Sequence, residues 1–108
     1  MKSSTLTVHG YGTVTIHWYS TLAGRLGGAS NCVTLNVDHI YCACGDITRW
    51  TLAHEYGHIA QAKRLGWRYL PWIALCFARY GYRNSPAEIE ATAFANAHWQ
   101  DFSDVGAS

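Results

Sequence analysis

Two histidines and a glutamate set the chemistry open to this chain: His54, Glu55 and His58, in the run Ala53-His54-Glu55-Tyr56-Gly57-His58. On a helix, side chains four apart point the same way, one turn above the other. That spacing lets both imidazoles reach one zinc ion at about 2.0–2.1 Å. Glu55, one step round from His54, then stands beside the water the metal activates and can take its proton. Leu52, Ala53, Ile59 and Ala60 wrap the motif in apolar side chains, as a helix buried along much of its length requires. Two imidazoles and a carboxylate are costly in such a setting unless they are paired or bind a metal. Gly57 costs about 1 kcal/mol of helix propensity relative to alanine, and its missing side chain predicts another backbone passing close by.

A catalytic zinc takes three protein ligands and keeps a fourth position open. Downstream of His58 the candidates are Glu88, Glu90, His98, Asp101 and Asp104. Glu88 and Glu90 are two apart on a helix and cannot both face the metal. Glu88 shares its face with Ala91, Thr92 and Ala95, small side chains that would let this helix approach the first one at Gly57. Glu90 shares its face with Ala93, Phe94 and Ala97. Glu88 also suits the third position of a capping box after Ser85-Pro86, a role that needs no metal. Spacing therefore favours Glu88 and keeps Glu90 and His98 open.

The elements that must position these groups follow from periodicity. Thr5–His9 and Thr13–Tyr19 alternate around a turn at Gly10-Tyr11-Gly12 and predict a hairpin, with Val14, Ile16 and Trp18 on one face. His9 and His17 read as sheet-surface residues. The glycine-rich connection Leu22–Asn31 lacks the Lys-Ser/Thr ending of a phosphate-binding loop. Cys32–Tyr41 predicts a third strand, with Val33, Leu35 and Val37 facing one way and Thr34, Asn36 and Asp38 the other. Placed just before the motif helix, it could line a cleft with His39 near its end and, as an edge, pair with an extended peptide. Asp46 as N-cap predicts a helix from Ile47 to Leu65, ended by Gly66. Trp67–Pro71 reads as a turn, and Trp72–Ala78 as a short buried helix started by Pro71 and packed on the histidine helix. Ser85 as N-cap and Pro86 at the first position predict a last helix to about Trp99. The class is α+β, with a small, mostly antiparallel sheet of about three strands packed on two site helices.

Composition sets the outer bounds. At 108 residues the chain makes one domain, 1–108. A formal charge of +1 gives no support for a nucleic-acid or membrane partner. Neither a signal peptide nor a membrane-spanning apolar run is seen, which gives a cytoplasmic expectation. The four cysteines read as reduced, mostly buried thiols. Cys42-Ala43-Cys44 has too short a spacing for a zinc knuckle, so a second zinc with Cys32 and Cys76 is disfavoured. Five Trp and seven Tyr read chiefly as core aromatics. Oligomeric state is left open.

The two motifs together, His54–His58 followed by Ala87-Glu88-Ile89-Glu90-Ala91-Thr92-Ala93-Phe94, resemble the gluzincin clan of zinc metallopeptidases. In size the chain is most similar to the minigluzincins, single-domain proteins that keep only the zincin core. Tyr82–Ala91 also resembles the Asn-Pro-x-Glu-x-Glu-Ala signature of small uncharacterised bacterial and phage HExxH proteins. The resemblance spans about Val33 to Ala95. It implies a minimal zincin-like domain, Zn2+ as cofactor, His54, His58 and Glu88 as metal ligands and Glu55 as general base. It implies hydrolysis of a peptide or protein substrate as an endopeptidase. It maps a supporting position, usually acidic, onto Thr92, whose hydroxyl cannot raise imidazole basicity as a carboxylate would. Some gluzincins use a tyrosine near the glutamate helix on the oxyanion, which implies Tyr82 as a catalytic residue, with Tyr80 next. The alternative is a latent or inactive zincin scaffold, zymogen-like or protein-binding. Minigluzincins resemble zymogens plugged by a terminal segment, and Asp101 or Asp104 could be the plug.

Overall fold

The computed structural model describes residues 2–21, 32–36, 38–81 and 84–106. The alternating N-terminal runs form the expected hairpin. Strand β1 (Lys2–Val8) pairs antiparallel with β2 (Gly12–Trp18), setting Ser4 opposite Ile16 and Leu6 opposite Val14. Val14, Ile16 and Trp18 all point into the core, the face that the alternation assigns. Leu22–Asn31, the glycine-rich connection, lies outside the described residues.

The third strand departs from expectation. The chain folds back on itself as β3 (Cys32–Asn36) and β4 (His39–Cys42), an antiparallel pair with an irregular register between Thr34 and Asn36. Asn36 and Asp38 are turn formers set inside an apolar alternation that runs on through Ile40, so the pattern conceals the reversal. β4 then pairs in parallel with β2, Ile16 opposite Ile40. The sheet is therefore mixed and four-stranded, in the order β1-β2-β4-β3. A separate ribbon joins β5 (Asp46–Ile47) to β6 (Val105–Gly106). Two-residue strands carry no periodicity from which a sequence reading could infer them.

That ribbon also delays the histidine helix. Asp46 and Ile47 are committed to β6, so Thr48 takes the N-cap in place of Asp46, its hydroxyl accepting from Thr51 N–H. Helix α1 spans Arg49–Leu65 and ends at Gly66, whose φ of +60° few other residues would adopt. Every residue from Leu52 to Ile59 is buried. Leu52, Tyr56 and Ile59 join Val14, Ile16, Trp18 and Ile40 of the sheet in one core, with Phe102 beneath.

A 3₁₀ turn at Gly66–Arg68 leads into α2 (Tyr69–Tyr80), which begins two residues before Pro71. Proline is tolerated there because N–H groups of a first helical turn have no intrahelical partner in any case. The expected short buried helix is instead twelve residues long and buries only Tyr69 and Cys76. Helix α3 (Pro86–His98) starts as expected, with Ser85 Oγ accepting from Glu88 N–H at 3.2 Å.

Helices α1 and α3 meet at Gly57. A Cβ built there would sit 3.0 Å from Ala91 Cα and 3.2 Å from Phe94 Cβ. Ala91 and Ala95, two of the three small residues that the sequence singled out, lie with Ala87 on the buried face of α3 and make this approach possible. Gly57→Ala should therefore lower stability by about 1–3 kcal/mol in chemical denaturation despite its better helix propensity. A variant as stable as the parent would show that the two helices have room to spare.

Candidate metal centre

The close approach at Gly57 brings the candidate ligands together. Glu88, at the third position of α3, faces the two histidines of α1. His54 Nε2 lies 3.0 Å from Glu88 Oε1, and His58 Nε2 lies 2.7 Å from Glu88 Oε2. The carboxylate thus goes to the imidazoles rather than back to the Ser85 backbone, and the capping box is only half made. One ligand atom from each of the three residues lies within 4.8 Å of the others, and all three residues are buried. Tetrahedral zinc at about 2.0–2.1 Å from each donor needs donors roughly 3.3 Å apart, so small adjustments bring this set to coordination distance. Two nitrogens and one carboxylate oxygen form the donor set of a catalytic zinc with an open fourth position. Among the described residues no other group of three or more histidine, cysteine or acidic side chains is placed to hold a metal ion.

Charge holds the cluster as well as shape. Burial alone would raise the Glu88 pKa, yet hydrogen bonds from His54 and His58 and their charge bring it down to about 2. Burial likewise pulls down the His58 pKa, but the bond to Glu88, the charges of Glu55 and Glu88, and Gln61 outweigh it and leave it raised.

His58 is further oriented by a residue that the sequence reading passed over. Gln61 Oε1 sits 2.8 Å from His58 Nδ1, and Gln61 Nε2 donates to the Ala87 carbonyl at 2.9 Å. A carbonyl can only accept, so the Gln61 amide nitrogen must face Ala87 and its oxygen must face the ring. His58 Nδ1 therefore carries a proton, and Nε2, which here donates to Glu88, is the atom that would face a metal once it gives up its own proton. The only sequence signal is the spacing, a glutamine three residues after His58 on the same helix side; its full burial is seen in the structure alone. Gln61→Leu should weaken zinc binding about 10–100-fold in competition with a chelating dye, and Gln61→Glu, which keeps the acceptor, should restore most of it. Equal affinity in the leucine variant would remove this support role. His54 has no such partner. Its Nδ1 is buried without a hydrogen bond, and its ring is held by packing, with the Trp50 ring 5.3 Å away.

Glu55 is 1% exposed, and Thr34 Oγ1 donates to its Oε1 at 2.8 Å. Tyr69 OH donates to the Thr34 carbonyl at 2.9 Å, which ties β3 to α2. Burial, with the charges of Glu55 and Glu88, raises the Tyr69 pKa, so its phenol stays protonated. Glu55, His58 and Glu88 line one cavity of about 40 Å³, walled by Thr34, Tyr69 and Phe77. Thr34 and Tyr69 are further site residues without a sequence signature, because their roles depend on how β3 and α2 meet.

The remaining candidates lie elsewhere. Glu90 is exposed and pairs with Arg64 at 3.1 Å. His98 and Asp101 both bond Tyr11 OH, at 3.1 and 2.6 Å. Asp104 accepts from the Arg49 N–H at the start of α1. Neither tail carboxylate reaches the cluster, which removes them as the plug. Thr92, the expected supporting position, makes no hydrogen bond to either imidazole among the described residues, and Gln61 serves His58 in its place. His39 bonds His17 and stacks with Tyr41 on the sheet, away from the cavity. His9 is exposed in the first turn. Tyr80 ends α2, half exposed, with the Arg79 guanidinium over its ring. Tyr82 lies outside the described residues.

Searches against protein-family models, curated proteins and solved structures give no match for this chain. What carries an assignment is the site itself: a buried His54-Glu55-x-x-His58 pair with a distal Glu88, consistent with the active site of an HExxH metallopeptidase. The small α+β domain, with its sheet against a histidine helix and a glutamate helix, is likewise consistent with a minimal zincin-like fold.

Proposed function

We propose that this protein is a zinc-dependent endopeptidase of the gluzincin type, similar in size to the minigluzincins. The observation that carries the proposal is that Glu55 faces the same cavity as two of the three candidate ligands. His54, His58 and Glu88 would hold the ion, which when bound supplies a Lewis acid for the scissile carbonyl and lowers the pKa of water. Glu55 accepts a proton from the attacking water and returns it to the amine as the carbon–nitrogen bond breaks. The Thr34 hydroxyl holds one Glu55 oxygen in place and keeps the carboxylate aimed. Tyr69 steadies Thr34 from behind. A substrate has a track as well: β3 is an edge of the sheet among the described residues, and its residues Cys32, Val33 and Thr34 line the cavity. An extended peptide would add to that edge as a further strand.

A latent form of the same enzyme is favoured by one feature. A cavity of about 40 Å³ takes water more readily than a peptide side chain, and Leu70, Ile73 and Phe77 of α2 line it. The deciding experiment loads the purified chain with zinc and incubates it with a peptide library. Cleavage that stops with a chelator and resumes with added zinc is the expected result. Zinc-loaded protein that cuts nothing would leave the latent form, and a chain that binds no zinc would overturn both.

A further inference from the structure

Helix α2 presents an outer surface that the fold leaves uncovered, and of the residues on it Leu70 alone also borders the cavity at the metal centre. Its inner side carries buried Tyr69 and Cys76 and half-buried Trp72, Ile73 and Phe77. Its outer side carries Leu70, Pro71, Ala74, Leu75 and Ala78, all exposed and all apolar. A helix that is apolar all round belongs in an interior or against another apolar phase. Here Leu75 is 65% exposed and Leu70 48%, and Trp67, in the preceding turn, is 85% exposed. Side chains of this kind side by side form a contiguous patch of the sort that marks an interaction site.

Charge says what covers it. No aspartate or glutamate occurs from Tyr56 to Ala87, while Lys63, Arg64, Arg68, Arg79 and Arg83 fall there, five of the eight basic residues in the chain. The net charge of +1 averages away this segregation. Arg64 is taken by Glu90. Arg68 and Arg79 are exposed at opposite ends of α2, roughly 16 Å apart along the axis, with Trp67 and Tyr80 beside them. Apolar side chains between aromatic and basic ends make the pattern of a helix lying flat in a membrane interface. At twelve residues α2 is about 18 Å long, well short of a bilayer core. No described helix is long and apolar enough to cross a membrane. Pairing the same face with that of a second copy would set arginines against arginines with no carboxylate between them.

We propose that the outer face of α2 docks the protein on an anionic lipid bilayer, with Trp67, Leu70 and Leu75 in the interface and Arg68 and Arg79 on lipid phosphates and carboxylates. This inference does not rest on the metal reading. The test is co-sedimentation of the full chain with vesicles of phosphatidylcholine, alone or mixed with phosphatidylserine. Binding to the mixed vesicles, weakened by added salt, is expected. Arg68→Gln with Arg79→Gln should lower partitioning by about 25-fold, at roughly fivefold for each charge. Trp67→Ser with Leu75→Ser should lower it by at least about tenfold, with an unchanged circular dichroism spectrum. Three outcomes would overturn the proposal: no association with mixed vesicles, association indifferent to both pairs of substitutions, or a parent that is dimeric in light scattering and becomes monomeric with Leu75→Ser. Capture by an acidic polypeptide without vesicle binding would overturn it in favour of a protein partner.

Discussion

Glu55→Gln should leave zinc content and fold intact and cut peptide hydrolysis by about 10²–10⁴-fold, the usual contribution of a positioned general base. The substitution is nearly isosteric. A glutamine oxygen can still accept the Thr34 hydroxyl bond that the carboxylate accepts now. What it loses is the ability to take a proton. Because the side chain is buried among the candidate ligands, the control is metal content rather than stability alone: one zinc per chain in parent and variant, with activity in the parent only. Undiminished cleavage by the glutamine variant would move the base elsewhere and sink the mechanism while leaving the metal site standing.

The second large effect belongs to Glu88. Removing it as Glu88→Ala should reduce zinc affinity by more than about a hundredfold, since loss of an outer support alone costs about 10–100-fold. It should also abolish the rise in thermal midpoint that zinc gives the parent, because a ligand stabilises only as far as it binds the folded state. At a hundredfold excess over the dissociation constant that rise corresponds to about 2.7 kcal/mol. Glu90→Ala is the matched control. Its carboxylate is exposed and meets only the Arg64 guanidinium, so zinc binding should stay at the parental value. Loss of metal in both variants, or in neither, would disprove the assignment of the third ligand.

What could be read from the amino acids alone was the part in which local pattern and chemistry coincide. His54, Glu55 and His58 sit on a helix whose spacing defines their common side. Gly57 and the small residues of α3 announced a close helix approach that is now measurable in ångströms. Ser85-Pro86 marked the start of α3 to the residue. The failures of element placement have two causes. The late start of α1 and the two-residue ribbon are decided by pairing with the distant β6, which periodicity does not see, while the reversal between Asn36 and His39 joins neighbouring strands and is hidden by the alternation that runs through it. The apolar run of α2 was read as buried because hydrophobic periodicity reports a preference for leaving water, not which surface receives it. Gln61, Thr34 and Tyr69 escaped because their hydrogen bonds join three separate elements around Glu55 and His58.

One feature of α2 sets the wall of the cavity apart from the candidate ligands. The helix is bracketed by Gly66 and Gly81, with φ of +60° and +76°, and it bears none of the candidate ligands. All three candidate ligands belong to α1 and α3, which meet closely at Gly57. A change at Ile73 or Phe77 therefore alters the cavity wall without touching a candidate ligand, and a change at Gly57 or Gln61 alters the ligand-bearing helices without touching that wall.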